Sequence, residues 1–385
     1  MDVAQFVPTY DLTSSAIRDF RRIPDPGLDP RGFVAEIHDF IRHGGHDMLI
    51  PADDQALMAL TRHYGEFERH LFIACPGPQI SALVLDKFST LRLAQKHGIH
   101  VPRTQLVSNS TELHRLSSIV PFPWVLKPAR KQTSVEQAKS FTATTADQVA
   151  AKFPEAQEFS PPMLLQEYCP GVGVGVEVLM HKGECRALFQ HRRLEEAPYT
   201  GGFSATALAE QPDSRLVDQS LALLRAMEWE GPAMVEFKVN PKDGSAVLME
   251  VNGRYWGTIS LPVVAGLDFP LYHWQLVHGE MPSPPETYAV GMRWRWTAGH
   301  IWRFHELLRA ARHSSSAREE LRRTISGFPA LFDPSICDAM WTPPDPMPAI
   351  FEFIHILTFL FLDDVTTLLR RIRTRLMPGQ HQGTA

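Results

Sequence analysis

The chain has 385 residues, 44% hydrophobic and 21% charged, with a formal net charge of −5. Those figures describe a globular protein of two or three cores and exclude a global basic field for holding nucleic acid. Cys75, Cys169, Cys185 and Cys337 stand far apart with no CxxC pair, which argues against a zinc site or a disulfide framework and fits a reducing cytoplasm. Asp2 and the lack of an apolar leader segment argue against a signal peptide, and no run of about 20 apolar residues predicts a spanning helix.

From about Asp29 to Pro76 helical and strand patterns alternate. Phe33, Ile37, Phe40 and Ile41 recur at helical spacing, 47–51 reads as a short buried strand, Leu57, Leu60 and Tyr64 mark a second helix, and 71–74 another strand. This small α/β unit has no GxGxxG loop, so it is not a dinucleotide site. No opening strand, glycine loop and helix precede Asp11. A helix opens at 85–88 and runs to Lys96, with Gly98 as its stop, and Val101-Pro102 restarts the chain in extended form. Strands are predicted at 123–128, 164–168, 171–179, 187–194, 233–239 and 246–252, with no internal repeat.

The last two strands flank a turn centred on Asp243. Antiparallel pairing then sets Glu236 across from Glu250, and alternation puts Asn252 on the same face. Two carboxylates about 5 Å apart repel unless a cation or a shared proton lies between them, and an all-oxygen set suits Mg²⁺. The competing reading is a solvated sheet face. Arg254, a permanently charged planar fork, reads as a phosphate clamp or else as a surface salt bridge. Lys127 ends an apolar strand and needs an anionic partner, for which nucleotide phosphate is one candidate. Lys87, in the first turn of a helix, is weaker evidence alone.

Beyond about Pro285 the composition shifts. Trp294, Trp296 and Trp302 cluster near an Arg/His-rich helix, and 286–385 reads as a mainly helical extension. Residues 349–362 are strongly apolar, interrupted by Glu352 and His355, and lead into 368–376 with four arginines. That pattern fits a helix lying on an anionic membrane surface at 349–376. The alternative, a helix packed on the protein's core with a basic last turn, is the more common fate of an apolar helix.

Taken in order, Asp86-Lys87, Gly98-x-x-x-Pro102, Val125-Leu-Lys-Pro128, Gln166-Glu167, Glu236-Phe237 and Glu250-Val-Asn-Gly-Arg254 resemble the ATP-grasp superfamily over about 85–279. Arg192-Arg193-Leu194, Gly201-Gly202 and Arg254-Tyr-Trp-Gly257 resemble carboxylate–amine ligases within it. The resemblance implies an α/β (α+β) ATP-grasp fold: a truncated pre-ATP-grasp α/β region at 1–84, an ATP-grasp domain at 85–285 with a lid at about 119–168, then the extension.

It also implies roles. Lys87 and Lys127 would contact ATP phosphates, and Gln166, Glu167, Tyr168 and Cys169 would form the strand that reads adenine. Glu236, Glu250 and Asn252 would hold Mg²⁺ or Mn²⁺. Arg254 would stabilise the transferred phosphoryl group. Arg192 and Arg193 would face the acceptor carboxylate, although alternation allows only one of them to point inward. Glu177 falls near an expected ribose-binding acid, in a register ambiguous by one residue. The stretch 129–134 lacks the glycines of a phosphate flap, leaving Lys131, Thr133 and Ser134 to close over phosphate. The implied reaction is ATP-dependent carboxylate–amine (or carboxylate–thiol) ligation on small-molecule acceptors. A nucleotide-binding sensor without turnover and a phosphotransferase are the alternatives.

Overall fold

The computed structural model describes residues 1–6, 13–117, 122–131, 140–153, 157–327, 333 and 335–376, with backbone only at 160, 161 and 363–376. Thr133 and Ser134 lie outside the described residues.

The N-terminal unit runs β1 (Asp2–Gln5), β2 (Asp19–Arg22), α1 (Pro30–Gly44), β3 (Met48–Leu49), α2 (Asp54–Arg62), α3 (Tyr64–Phe67) and β4 (Phe72–Ile73). Strands pair in parallel as β1–β2 and β3–β4. Of the strand, glycine loop and helix not read before Asp11, the strand is present as β1. Asp-Val-Ala-Gln has neither alternation nor an apolar run, so β1 carried no readable period. Asp29 and Asp53 cap α1 and α2 by accepting from the Gly32 and Ala56 amides.

Helices α4 (Pro78–Leu85) and α5 (Lys87–Lys96) lead to β5 (Thr104–Asn109), α6 (Ser110–Ser117), β6 (Trp124–Pro128), β7 (Phe141–Ala143), α7 (Ala146–Lys152) and β8 (Glu158–Glu167). The four strands form one antiparallel sheet in the order β5-β8-β6-β7. One face buries Val107, Trp124, Leu126, Met163 and Leu165 with Leu113 and Leu116 of α6 and Val149 of α7. The pleat therefore sends Val125 and Lys127 to the opposite face.

The large sheet uses β9 (Val172–His181), β10 (Glu184–Ala197), β11 (Phe203–Ala209), β12 (Gly231–Val239) and β13 (Ala246–Asn252), with α8 (Ser214–Ala226) between β11 and β12. After α9 (Ser260–Val264) and α10 (Phe269–Val277) come β14 (Arg293–Arg295), α11 (Thr297–Ala310), α12 (Ser315–Gly327), β15 (Cys337–Asp338) and α13 (Met347–Leu376). Strand order is β13-β12-β9-β10-β11-β14-β15. Val174, Val176 and Val178 of β9 and Val235 and Phe237 of β12 pack with Leu223 and Leu224 of α8 and with Phe33, Ile37 and Leu57, so the N-terminal unit shares the main core.

Among the described residues beyond 286, α11, α12 and α13 are accompanied by two short strands, β14 and β15, which extend the large sheet at its edge. These strands are too short to show a period in the sequence. The expectation that the apolar segment 349–362 packs on the protein's core is met only in part: α13 rests against α11, but most of its apolar side chains are uncovered. Leu360 is buried, but Ile350, Phe351, Phe353, Ile354, Leu357, Phe359, Phe361 and Leu362 are exposed. Among the described residues no helix is long and apolar enough to cross a membrane.

Candidate active site

The β12–β13 hairpin sets Glu236 opposite Glu250, as the sequence predicts, but by a different route. Phe237, Lys238 and Val239 pair with Leu248, Val247 and Ala246, and the Asn240 amide donates to the Ser245 carbonyl (2.9 Å or less), which centres the turn between Lys242 and Asp243. A bulge at Met249 then adds one residue and restores the Glu236–Glu250 register. Asn252 turns to the same side, its Nδ2 donating to Glu250 Oε1 at 3.3 Å. Glu236 and Asn252 are buried.

Cations surround this acidic pair. Lys87 Nζ lies 3.9 Å from Glu250 Oε2. Lys131 Nζ donates to Asn252 Oδ1 (2.9 Å) and to Asp54 Oδ1 (3.1 Å). Two backbone bonds put Lys131 there: Lys87 N donates to Ala129 O and Lys131 N to Leu85 O, stitching the end of β6 to the α4–α5 junction. Arg254 grips Asp54 with Nε at 3.1 Å and a terminal nitrogen at 3.3 Å. Lys127 reaches the hairpin from the free face of the small sheet. Burial and the adjacent Lys87 push its ammonium down to about 8, against the pull of Glu250 and Glu236.

The two glutamates are driven apart. Burial and the Glu250 charge raise Glu236 above the ordinary carboxylate range, although Arg193 opposes them. Burial also disfavours ionised Glu250, but Lys87, Lys131, Lys127 and Arg193 outweigh it and hold Glu250 well below its ordinary range. The surroundings of the two carboxyl groups thus shift their pKa values in opposite directions. Among the described residues no three His, Cys, Asp or Glu side chains form a metal-holding group. Two carboxylates and one amide oxygen on one face nevertheless fit a hard divalent ion that completes its shell with water and phosphate. The crowding of Lys87 against Lys127, offset only in part by Glu250 and Glu236, fits a polyanion between them.

On β9 two glycines shape the next layer. A Cβ at Gly173 would meet Arg193 Cδ at 2.9 Å, and one at Gly175 would meet the His191 ring at 2.6 Å. The bare strand lets both side chains lie across it, and Arg193 reaches Glu236, Glu196 (3.2 Å) and the Gly202 carbonyl (3.0 Å). Arg192 does not belong to the site. Alternation turns it outward to Glu210, so its catalytic assignment is withdrawn. Glu177 is fully buried and bonded to His191 Nδ1, with burial raising its pKa. It supports His191 rather than standing open to a ribose, which corrects its assignment as a nucleotide ligand. His191 Nε2, Glu177 Oε2 and Arg193 Nε are buried without partners.

On the adenine-side strand, Gln166 is buried and donates to Thr104 Oγ1 at 3.0 Å. The Glu167 carboxylate turns away to Arg103, whose Nε lies at 3.0 Å, so only its backbone faces the cleft end of β8. The Tyr168 ring is exposed, its amide bonded to Pro123 O, and burial raises the Cys169 thiol. Asp54 was missed, because an acid in the first turn of a helix reads as ordinary capping. His191 had a signal: alternation puts it on the face of Arg193.

Residues 159–299 match the family described as "ATP-grasp in the biosynthetic pathway with Ter operon". The D-alanine–D-alanine ligase of Cupriavidus taiwanensis is 28% identical over 164 residues, 39% of this chain and 48% of the relative. The chain thus spans about half the length of the curated relatives it matches. The biotin carboxylase domain of Hydrogenobacter thermophilus 2-oxoglutarate carboxylase superposes with a TM-score of 0.59 at 13% identity, covering 76% of this chain and 68% of that one. L-amino acid ligase from Bacillus licheniformis gives 0.52 at 16%, covering 70% and 67%. The fold these share is ATP-grasp. The chain has the ATP-grasp fold, matches an ATP-grasp family over residues 159–299, and resembles carboxylate–amine ligases.

Proposed function

We propose that the protein ligates a small-molecule carboxylate to an amine at the expense of ATP, releasing ADP and phosphate. One observation carries this reading: the opposed Glu236 and Glu250, with Asn252, lie inside a ring of Lys87, Lys127, Lys131, Arg193 and Arg254. Such a site neutralises a triphosphate at the end where it reacts. The named relatives join amino acids, and a neighbouring structure holds MgADP and bicarbonate, which agrees with nucleotide use and a carboxylate-type acceptor.

Glu236, Glu250 and Asn252 would hold Mg²⁺ or Mn²⁺, which when bound neutralises charge on the β- and γ-phosphate oxygens. Lys87, Lys127 and Lys131 orient the phosphates from the opposite wall. Arg254 leaves Asp54 for the transferred phosphoryl group. Arg193, held beside Glu236, faces the acceptor carboxylate. A carboxylate oxygen attacks the γ-phosphorus and the bond to ADP breaks. An amine nitrogen then attacks the acyl carbon, loses its proton, and expels phosphate. Positioning and charge neutralisation supply the rate, with little covalent work for the protein.

The test is acceptor-dependent ADP release with Mg²⁺ over a panel of amino acids and amines, run beside thermal unfolding with nucleotide. A nucleotide held at about 100-fold over its Kd stabilises by about 2.7 kcal/mol. Absence of any nucleotide shift at millimolar concentration ends the ligase reading. Binding without ADP release for every acceptor favours the sensor instead.

A further inference from the structure

Outside the site, the largest unexplained feature is α13. It rests against α11, where the Trp296 indole donates to Glu352 Oε1 at 2.6 Å. Glu352 and Leu360 are the buried side chains of the apolar stretch 350–362. The one acid in that stretch is therefore turned inward, and the outward surface carries no acidic or basic side chain other than His355.

Ile350, Phe353, Ile354, Leu357 and Phe361 recur at helical spacing and are 41–67% exposed. Phe351, Phe359 and Leu362, also exposed, extend the apolar surface well beyond that stripe. A seam between two helices needs only a narrow stripe, with polar residues flanking it. An apolar surface this broad, on an apolar stretch shorter than the about 20 residues a span needs, suits a helix lying in a lipid interface. The sequence supplies the second requirement for stable attachment: 365–376 carries Arg370, Arg371, Arg373 and Arg375 and no acid.

We infer that α13 is a membrane-surface helix that docks the protein on anionic lipid, its Phe/Ile/Leu face entering the acyl boundary and its arginine-rich end meeting the headgroups. This inference stands apart from the ligase reading.

The experiment is co-sedimentation of the full chain with vesicles of phosphatidylcholine alone or with about one-third phosphatidylglycerol, together with sedimentation velocity. Wild type should bind the anionic vesicles at least tenfold more tightly than the neutral ones and lose most of that preference at high salt. Ile354→Glu/Leu357→Glu, at exposed positions, should lose at least tenfold in vesicle binding while keeping the wild-type unfolding midpoint. The docking is refuted by absence of binding to anionic vesicles, or by binding the double variant retains. A concentration-dependent dimer that the variant abolishes, with no vesicle binding, would assign the face to a second copy and overturn the proposal.

Discussion

Asp54 and Arg254, 200 positions apart in the chain, close the active site from opposite sides: the guanidinium of Arg254 forks onto both carboxylate oxygens of Asp54, at 3.1 and 3.3 Å. Asp54 opens α2 of the N-terminal unit, and Arg254 follows the β12–β13 hairpin after Gly253. Burial opposes ionisation of Asp54, but Lys131 and Arg254 outweigh it and lower its pKa. The carboxylate thus stands where a phosphate would compete for the same two cations. Asp54→Ala should destabilise the free protein by about 2 kcal/mol, the scale of hydrogen bonds to charged groups. The deficit should shrink with saturating MgATP, because phosphate replaces the lost partner. Urea unfolding with and without nucleotide measures both, and an equal deficit in the two conditions contradicts the competition.

Lys127 gives nucleotide binding a pH dependence of known sign. Burial and Lys87 bring the free protein's ammonium to about 8. A phosphate beside it favours the charged form and lifts that value, so binding takes up a proton once the pH exceeds about 8. Affinity should be level below that point and fall by up to about tenfold per pH unit above it. Lys127→Arg, permanently charged, should flatten the profile. Titration calorimetry from about pH 7 to about 9.5 decides this, and a flat wild-type curve contradicts it.

Glu236 and Glu250 should respond unequally to the same substitution. Glu236 is raised by burial and by Glu250 against the pull of Arg193, so its surroundings disfavour its charge and Glu236→Gln should cost the metal-free protein less than the same change at Glu250. Glu250 is held ionised by Lys87, Lys131, Lys127 and Arg193 despite its burial. Glu250→Gln leaves those cations facing one another and should destabilise by about 1–3 kcal/mol, after allowing for its partial exposure. Both should abolish the Mg²⁺ dependence of nucleotide binding. Denaturant midpoints in chelator give the first comparison, and equal losses would contradict the asymmetry.

The hairpin was legible because two local rules, alternation and antiparallel register, determine it. Even so, the turn lies half a residue from a centre on Asp243, a one-residue slip in register, and only the bulge at Met249 brings Glu236 back opposite Glu250. Alternation likewise separated Arg193 from Arg192. Asp54 was hidden because its partners lie 77 and 200 positions away, and no local pattern encodes a contact at that range. The exposure of α13 was hidden for the opposite reason. Its apolar sequence suits a buried core helix and an uncovered one equally, and only its neighbours tell them apart.

Gly173 and Gly175 leave room for the side chains laid across β9. A methyl at Gly175 would press on the buried His191 ring at 2.6 Å and on Glu177 Oε1 at 3.1 Å, groups with no room to move. Gly175→Ala should therefore cost about 1–3 kcal/mol. A methyl at Gly173 meets the Arg193 side chain, at Cδ 2.9 Å and Cγ 3.4 Å, which can swing aside. The guanidinium then leaves Glu236 and Glu196, a loss of about 1–3 kcal/mol, and with them the side of the site proposed for the acceptor. Gly173→Ala should consequently keep nucleotide affinity within about twofold while lowering acceptor kcat/KM by at least about tenfold, the loss of roughly 1.4 kcal/mol of transition-state stabilisation. Steady-state kinetics beside nucleotide titration reads the two effects separately. Equal loss in both would mean that Arg193 serves the phosphates, and unchanged acceptor kinetics would remove it from the reaction.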